Sequence, residues 1–147
     1  MRRSYLSNWY ESKFIVDHVK FSSMEQFMMY QKAITFQDQT IAKEILQTKD
    51  SAKIKQLGRQ VRNYNDHIWN GVRQIVVYEG LVAKFSQNEE LKKQLKETKT
   101  AILAECAVKD RIWGIGLSMK DLKRFDITQW RGQNLLGYAL MEVRKRL

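Results

Sequence analysis

No proline interrupts the 147 residues of the chain, and glycine occurs only seven times. With so few breakers, the backbone favours helices joined by short polar turns. Hydrophobic residues make up 44% of the chain and charged residues 29%, enough for a core beneath a solvated surface. The length suits one compact domain. No internal repeat, low-complexity tract or linker marks a boundary within residues 1–147. The expectation is a mainly α, single multihelical domain.

Local patterns place the elements. "FIVDHVKF", residues 14–21, is rich in β-branched and aromatic residues and reads as a short hairpin or extended pair near the N-terminus. Ser22 reads as a helix N-cap with Glu25 three residues on, the spacing of a capping box, and the helix it opens runs to about Phe36. A second helix is expected over Thr40 to Thr48. Asp50 or Ser51 caps a third, "AKIKQL", which Gly58 ends. Asp66 opens a longer helix in which Ile68, Val72, Ile75 and Val76 recur at helical spacing, continuing to Phe85 with a candidate bend at Gly80. Asn88 caps "EELKKQLKET". "AILAECAVKDRIWGIGL" is irregular, and Ser118 to Trp130 reads as a loop or short helix. The end, "NLLGYALMEVRKRL", is amphipathic, with Leu136, Leu140, Val143 and Leu147 on one stripe.

Composition narrows the function classes. A net charge of +10 draws in phosphates, nucleic acids or acidic membranes, unless it is only a generally basic surface. Two histidines and one cysteine form no zinc-site spacing, and neither a phosphate loop nor a dinucleotide fingerprint is present. No metal and no cofactor are expected. No apolar run is long enough to cross a membrane, and the basic start lacks the apolar core of a signal peptide. The lone Cys106 fits a reducing compartment. The default is a cytoplasmic protein with no membrane partner.

Glu25 and Lys32 are the first candidate pair. They lie seven residues apart, about 20° from each other around a helix that is otherwise apolar nearly all round. Either Glu25 completes the capping box and pairs with Lys32, or the two line a cleft with one carboxylate and one amine. Lys55, Arg59 and Arg62 follow at i, i+4 and i+7. They form a phosphate-holding stripe if the helix continues past Gly58, or a solvated face. Trp69 has core spacing with Val72 and Val76. "DRIWGIG" sets Asp110 and Trp113 before Gly114 and Gly116. The glycines either let the backbone approach a ligand stacked on Trp113 or simply allow a turn.

Taken in order, "LSNWY", "SSMEQFMMYQKAITF", "KQLGR", Ile68-Trp69, "AKFSQNEELKKQL", "LAECAVKDRIWGIG" and "RGQNLLGYALMEVR" resemble the NADAR family, also called YbiA-like N-glycosidases. The resemblance covers nearly the whole chain. It implies an enzyme that cleaves N-glycosidic bonds of ribose derivatives. Two substrate classes go with it: ADP-ribose on a base, notably guanine in DNA, and phosphoribosylamino pyrimidine intermediates of riboflavin synthesis. Glu25, Trp69, Asp110 and Trp113 match family positions important for activity, and Lys32 matches the family lysine on the same helix. Asn8, Arg59, Gly114, Gly116, Asn134 and Gly137 match further motif positions. The expected catalytic residues are Glu25, Lys32 and Asp110. Asn8, Arg59, Trp69, Trp113, Gly114, Gly116 and Asn134 are expected to bind substrate, Arg59 through phosphate.

Some features depart from the family pattern. Only six residues precede Ser7, His18 stands where a glycine often follows the acid, and "LSMKDLKRFDITQW" is longer than in compact relatives. These departures bear on the pocket rim, and so on substrate choice, more than on the chemistry. The rival reading is a non-catalytic basic helical module that binds ADP-ribose or nucleic acid. The sequence leaves the oligomeric state open.

Overall fold

The computed structural model describes residues 4–147. Two compact units divide the chain, Met1–Gln94 and Leu95–Leu147. The first begins with a hairpin of β1 (Phe14–Val16) and β2 (Val19–Phe21), followed by α1 (Met24–Thr35), α2 (Gln39–Leu46), α3 (Ser51–Arg59) and α4 (Asp66–Ser86). Helix α5 (Glu89–Glu97) carries the chain into the second unit. There, two 3-10 turns (Leu122–Phe125 and Ile127–Gln129) precede α6 (Leu135–Arg146). The fold is mainly α with one small antiparallel sheet. Among the described residues, no helix is long and apolar enough to cross a membrane.

The hairpin forms where the β-branched pattern places it. Phe14 pairs with Phe21, Ile15 with Lys20 and Val16 with Val19, leaving Asp17-His18 as a two-residue turn. Both turn residues have positive φ, 49° and 67°. That is the turn form that matches strand twist, and it favours glycine at its second position, where His18 stands. Phe14 and Phe21 are buried and pack on Phe27 of α1, with ring centroids 5.8 Å and 5.0 Å away.

The start of α1 differs from the expected capping box. Ser23, not Ser22, is the N-cap, and its Oγ accepts the Gln26 amide N–H at 3.1 Å. The partner reaching back is the Gln26 side chain, whose Oε1 accepts from Ser22 N–H at 2.7 Å and Ser22 Oγ at 3.0 Å. The side chain that reaches back to Ser22 is therefore Gln26.

Helix α1 packs against α2, α3 and α4, and a cluster of Ala33, Phe36, Ala42, Ile45, Leu57, Val61 and Trp69 fills the centre of this unit. Two glycines serve that packing. Gly58 does not end α3, which continues to Arg59; a Cβ there would press into the Met29 side chain. Gly80 lies within one unbroken helix, where a Cβ would come within 2.7 Å of Met24 Sδ and Phe27 Cδ2. Helix α2 starts one residue before Thr40 and ends at Leu46, because Asp38 caps it through the Ile41 amide. Asn88 stands directly before α5, where its carbonyl accepts the Lys92 N–H at 2.9 Å, and its side-chain amide also donates to the Lys13 and Lys84 carbonyls at 3.0 Å and 2.7 Å. In the second unit, Leu136, Leu140 and Val143 are the buried stripe of α6.

Replacing His18 by glycine should remove left-handed strain from the hairpin turn. The expected outcome is a rise in thermal stability equivalent to about 1 kcal/mol, read by calorimetry.

Candidate active site

The periodicity that places Glu25 and Lys32 on one face of α1 is realised. Glu25 is half-buried in the first turn of the helix, and its amide donates to the Asn8 carbonyl at 2.9 Å. Lys32 is also half-buried. Its Nζ donates to the Gly58 carbonyl at 2.8 Å and lies 4.4 Å from the centre of the Tyr64 ring. Burial lowers the Lys32 pKa, while the carboxylates of Asp66 and then Glu25 act to raise it. Tyr64 donates its hydroxyl to Asp66 Oδ1 at 2.7 Å, and burial followed by Asp66 raises its own pKa. The amine thus sits among a carbonyl, a ring face and two carboxylates. Such a group can exchange its proton and act as a nucleophile, and an adjacent carboxylate can stabilise positive charge or accept a proton.

Asn8 stands beside this face. Its Nδ2 faces Met28 Sδ at 3.6 Å, and its buried Oδ1 has no hydrogen-bond partner. The segment carrying Asn8 is held by a residue the sequence reading passed over, Lys84. Its side chain is 0% exposed, and Nζ donates to the Tyr5 carbonyl at 2.7 Å and the Ser7 carbonyl at 3.1 Å. Burial lowers its pKa to about 7. A signal was present: Lys84 continues the buried α4 stripe of Val77, Gly80 and Leu81 at helical spacing.

Two other expectations take different forms. Arg59 is exposed at the end of α3, next to the Gly58 carbonyl that holds Lys32. The three-residue basic stripe does not form, because Arg62 lies beyond the helix. There its backbone N–H donates to Asp38 Oδ2 at 2.9 Å, with Nε 3.7 Å from the same oxygen. Trp69 is 7% exposed within the central cluster, the core position its spacing indicated.

In the second unit, Asp110 Oδ1 accepts the amides of Ile112 and Trp113 at 3.0 Å and 2.9 Å, which fixes the turn that presents the half-buried Trp113. Glu105, also missed from sequence, has its pKa raised by burial and then by Asp110. The glycines of this unit allow close backbone approach. A Cβ on Gly114 would lie 2.8 Å from the Glu105 carbonyl oxygen and 2.9 Å from that of Asp110, and Gly116 has φ +73°. Asn134 is fully buried. Its Nδ2 donates to Leu103 O and its Oδ1 accepts from Glu105 N–H, both at 2.9 Å. At Gly137 a Cβ would press on Leu103 O and the Asn134 amide. Among the described residues, no group of three or more His, Cys, Asp or Glu is arranged to hold a metal ion.

The NADAR domain profile matches residues 1–147, and the chain belongs to this family. It is 41% identical over 129 residues to an N-glycosidase of Acanthamoeba polyphaga mimivirus, covering 88% of this chain and 76% of that protein. It is 30% identical over 132 residues to N-glycosidase YbiA of Escherichia coli, covering 90% and 74%. A riboflavin biosynthesis protein of Vibrio vulnificus is 30% identical over 143 residues, covering 97% of this chain and 35% of that protein. The NMR structure of E. coli YbiA superposes with a TM-score of 0.77 at 29% identity, covering 96% of this chain and 76% of that one.

Linkage gives Lys84 a definite pH signature. Below about pH 7 its amine is protonated in the folded and unfolded chains alike, and the folded state carries the full cost of burying the charge. Between about 7 and 10.5 the folded protein has released that proton while the unfolded chain keeps it, so stability rises through this window. Thermal melts of the wild type, referenced to Lys84→Met, should show Tm climbing from neutral to alkaline pH and a flat difference below neutrality.

Proposed function

We infer that the chain is an N-glycosidase, a hydrolase of N-glycosyl bonds, acting on a phosphorylated N-riboside. We assign it ADP-ribose attached to guanine in DNA ahead of phosphoribosylamino pyrimidine intermediates of riboflavin synthesis. The carrying observation is the Lys32 amine, half-buried and with a lowered pKa, with the Glu25 carboxylate of the same helix acting on it. The basic charge of +10 favours the more anionic substrate.

Cleavage builds positive charge on the anomeric carbon as the base departs with the bonding electron pair. Glu25 stabilises that charge or takes a proton from the attacking water. By the second route, neutral Lys32 attacks the anomeric carbon and the base leaves with the electron pair and a proton. The ribose ring then opens to a Schiff base, which water hydrolyses to free the sugar and regenerate the amine. Asn8 and Arg59 are assigned to substrate binding, Arg59 through phosphate. Asp110 is assigned to ribose hydroxyls or proton transfer, and Trp113 to stacking.

The test is a DNA oligonucleotide carrying ADP-ribose on guanine, incubated with wild type or Glu25→Gln and read by mass spectrometry. Wild type should release the ADP-ribose, and Glu25→Gln should lose at least about a hundredfold in rate while keeping its fold. A folded Glu25→Gln with full activity overturns the assignment. For the Schiff-base route, borohydride should trap a ribosyl adduct on Lys32. No adduct together with an active Lys32→Arg leaves direct hydrolysis.

A further inference from the structure

We propose that a lysine-lined groove beside the hairpin binds single-stranded nucleic acid, holding the strand that flanks the nucleotide being processed. For the identity of that nucleotide the proposal rests on the preceding reading; for strand binding it stands on the groove alone.

Two depressions of the first unit, about 550 Å³ and 380 Å³, share Ser22 and Lys49 as lining residues and together make one trough. Three lysines line it: Lys13 and Lys20 from the hairpin and Lys49 from the α2–α3 connection. All three are exposed, and among the described residues neither ion pair of the structure involves them. The lining of the smaller depression adds Trp9 and Tyr10, with Glu11 as the acid of the trough.

The walls are built rather than incidental. Gln26 Nε2 donates to the Ile45 and Thr48 carbonyls at 3.1 Å and 3.0 Å, which fixes the chain leading to Lys49. Gln87 brackets the other wall, accepting from Ile15 N–H and donating to Ile15 C=O, each at 2.8 Å. Asn88 holds the Lys13 carbonyl. Unpaired cations along a fixed trough, with the Tyr10 ring at one end, suit a single strand: charge for its phosphates and a face for a base. An elongated anion suits the trough better than a compact one, because the lysines are spread along both depressions instead of converging on one point.

The trough also leads to the chemistry. Ser22 and Ser23 line it immediately before α1, two residues ahead of Glu25. Trp9 lines it next to Asn8, whose carbonyl holds the Glu25 amide. A strand lying on Lys49 and Ser22 arrives at the end of α1 that carries the carboxylate.

The experiment uses the charge-reversal variant Lys13→Glu/Lys20→Glu/Lys49→Glu and a control, Lys92→Glu/Lys93→Glu, on α5. Binding of a fluorescein-labelled, unmodified DNA strand of about 12 nucleotides is followed by anisotropy over a salt series. The groove variant should bind at least about tenfold more weakly, with the salt slope reduced by about two, and the control should bind as wild type does. Turnover of ADP-ribosylated oligonucleotide and of free ADP-ribosylated guanosine is then compared. The groove variant should raise KM about tenfold for the oligonucleotide and leave the nucleoside unchanged, which also reports an intact fold. The proposal falls if wild type does not bind the strand or if the groove variant binds it undiminished. It also falls if guanosine monophosphate displaces the strand at no higher concentration than an equal strand does, since the trough is then a small-molecule site. Loss of strand binding in the groove variant alone, with no turnover of either substrate by wild type, keeps the groove and overturns the ADP-ribose reading. Turnover of both substrates with undiminished strand binding does the reverse.

Discussion

One neutral amide, Gln26, sets the architecture of the first unit. Its side chain is buried, with the residue 3% exposed, and both ends are fully used: Oε1 accepts twice from Ser22, and Nε2 donates to two carbonyls at the end of α2 and just beyond it. An amide buried this deeply is tolerated only when its hydrogen bonds are made, and here four are. The junction from hairpin to α1 and the chain leaving α2 are thereby bound to the same side chain. Removing the amide would take this partner from both Ser22 donors and from the Thr48 carbonyl at once, a larger cost than that of one lost bond.

That amide also explains which features were readable in advance. "SSMEQ" contains two overlapping capping boxes, Ser22-x-x-Glu25 and Ser23-x-x-Gln26. Pattern alone does not separate them. Burial does, because a glutamine can enter the core neutral whereas a glutamate cannot enter it charged without a partner. The hairpin, the six helices and the shared face of Glu25 and Lys32 followed from period and spacing, which are local properties. The place of Lys84 on the buried stripe of α4 is local too, but its task is not, because it rests on two carbonyls nearly eighty positions away. Gly58 and Gly80 were read as a stop and a bend, since a helical glycine looks the same in sequence whether it breaks the helix or makes room for a neighbouring side chain. For Gly114 and Gly116 the sequence left ligand approach and turn formation equally open, and the backbone packing around them is tight enough to require glycine unaided.

Two lysines with lowered pKa lie in this unit, and their surroundings divide the labour between them. Lys84 is sealed, with carbonyl acceptors and ring faces around it and burial as the sole cause of its shift. It can hold chain but meets no solvent. Lys32 is half-open and feels two carboxylates that oppose its burial, so its proton can be exchanged with the surroundings. Depth of burial alone does not separate two such amines by role. Access together with neighbouring charge is what sets Lys32 apart from Lys84.

Helix α4 has a consequence of a different kind. Its first turn supplies Asp66, which acts on Lys32, and its far end supplies Lys84, with Gln87 next in the chain holding the hairpin wall of the trough. The helix is 21 residues long, and Asp66 and Lys84 stand about 27 Å apart along it. Gly80 lets that rod lie directly on Met24 and Phe27, the part of α1 that neighbours Glu25. The element therefore acts as a ruler: it sets the interval between the place where an amine is tuned and the place where the chain's own edge is gripped. A single rigid element thus keeps the N-terminal segment and the surroundings of Lys32 at a fixed interval, and a change in one end of the helix is felt at the other.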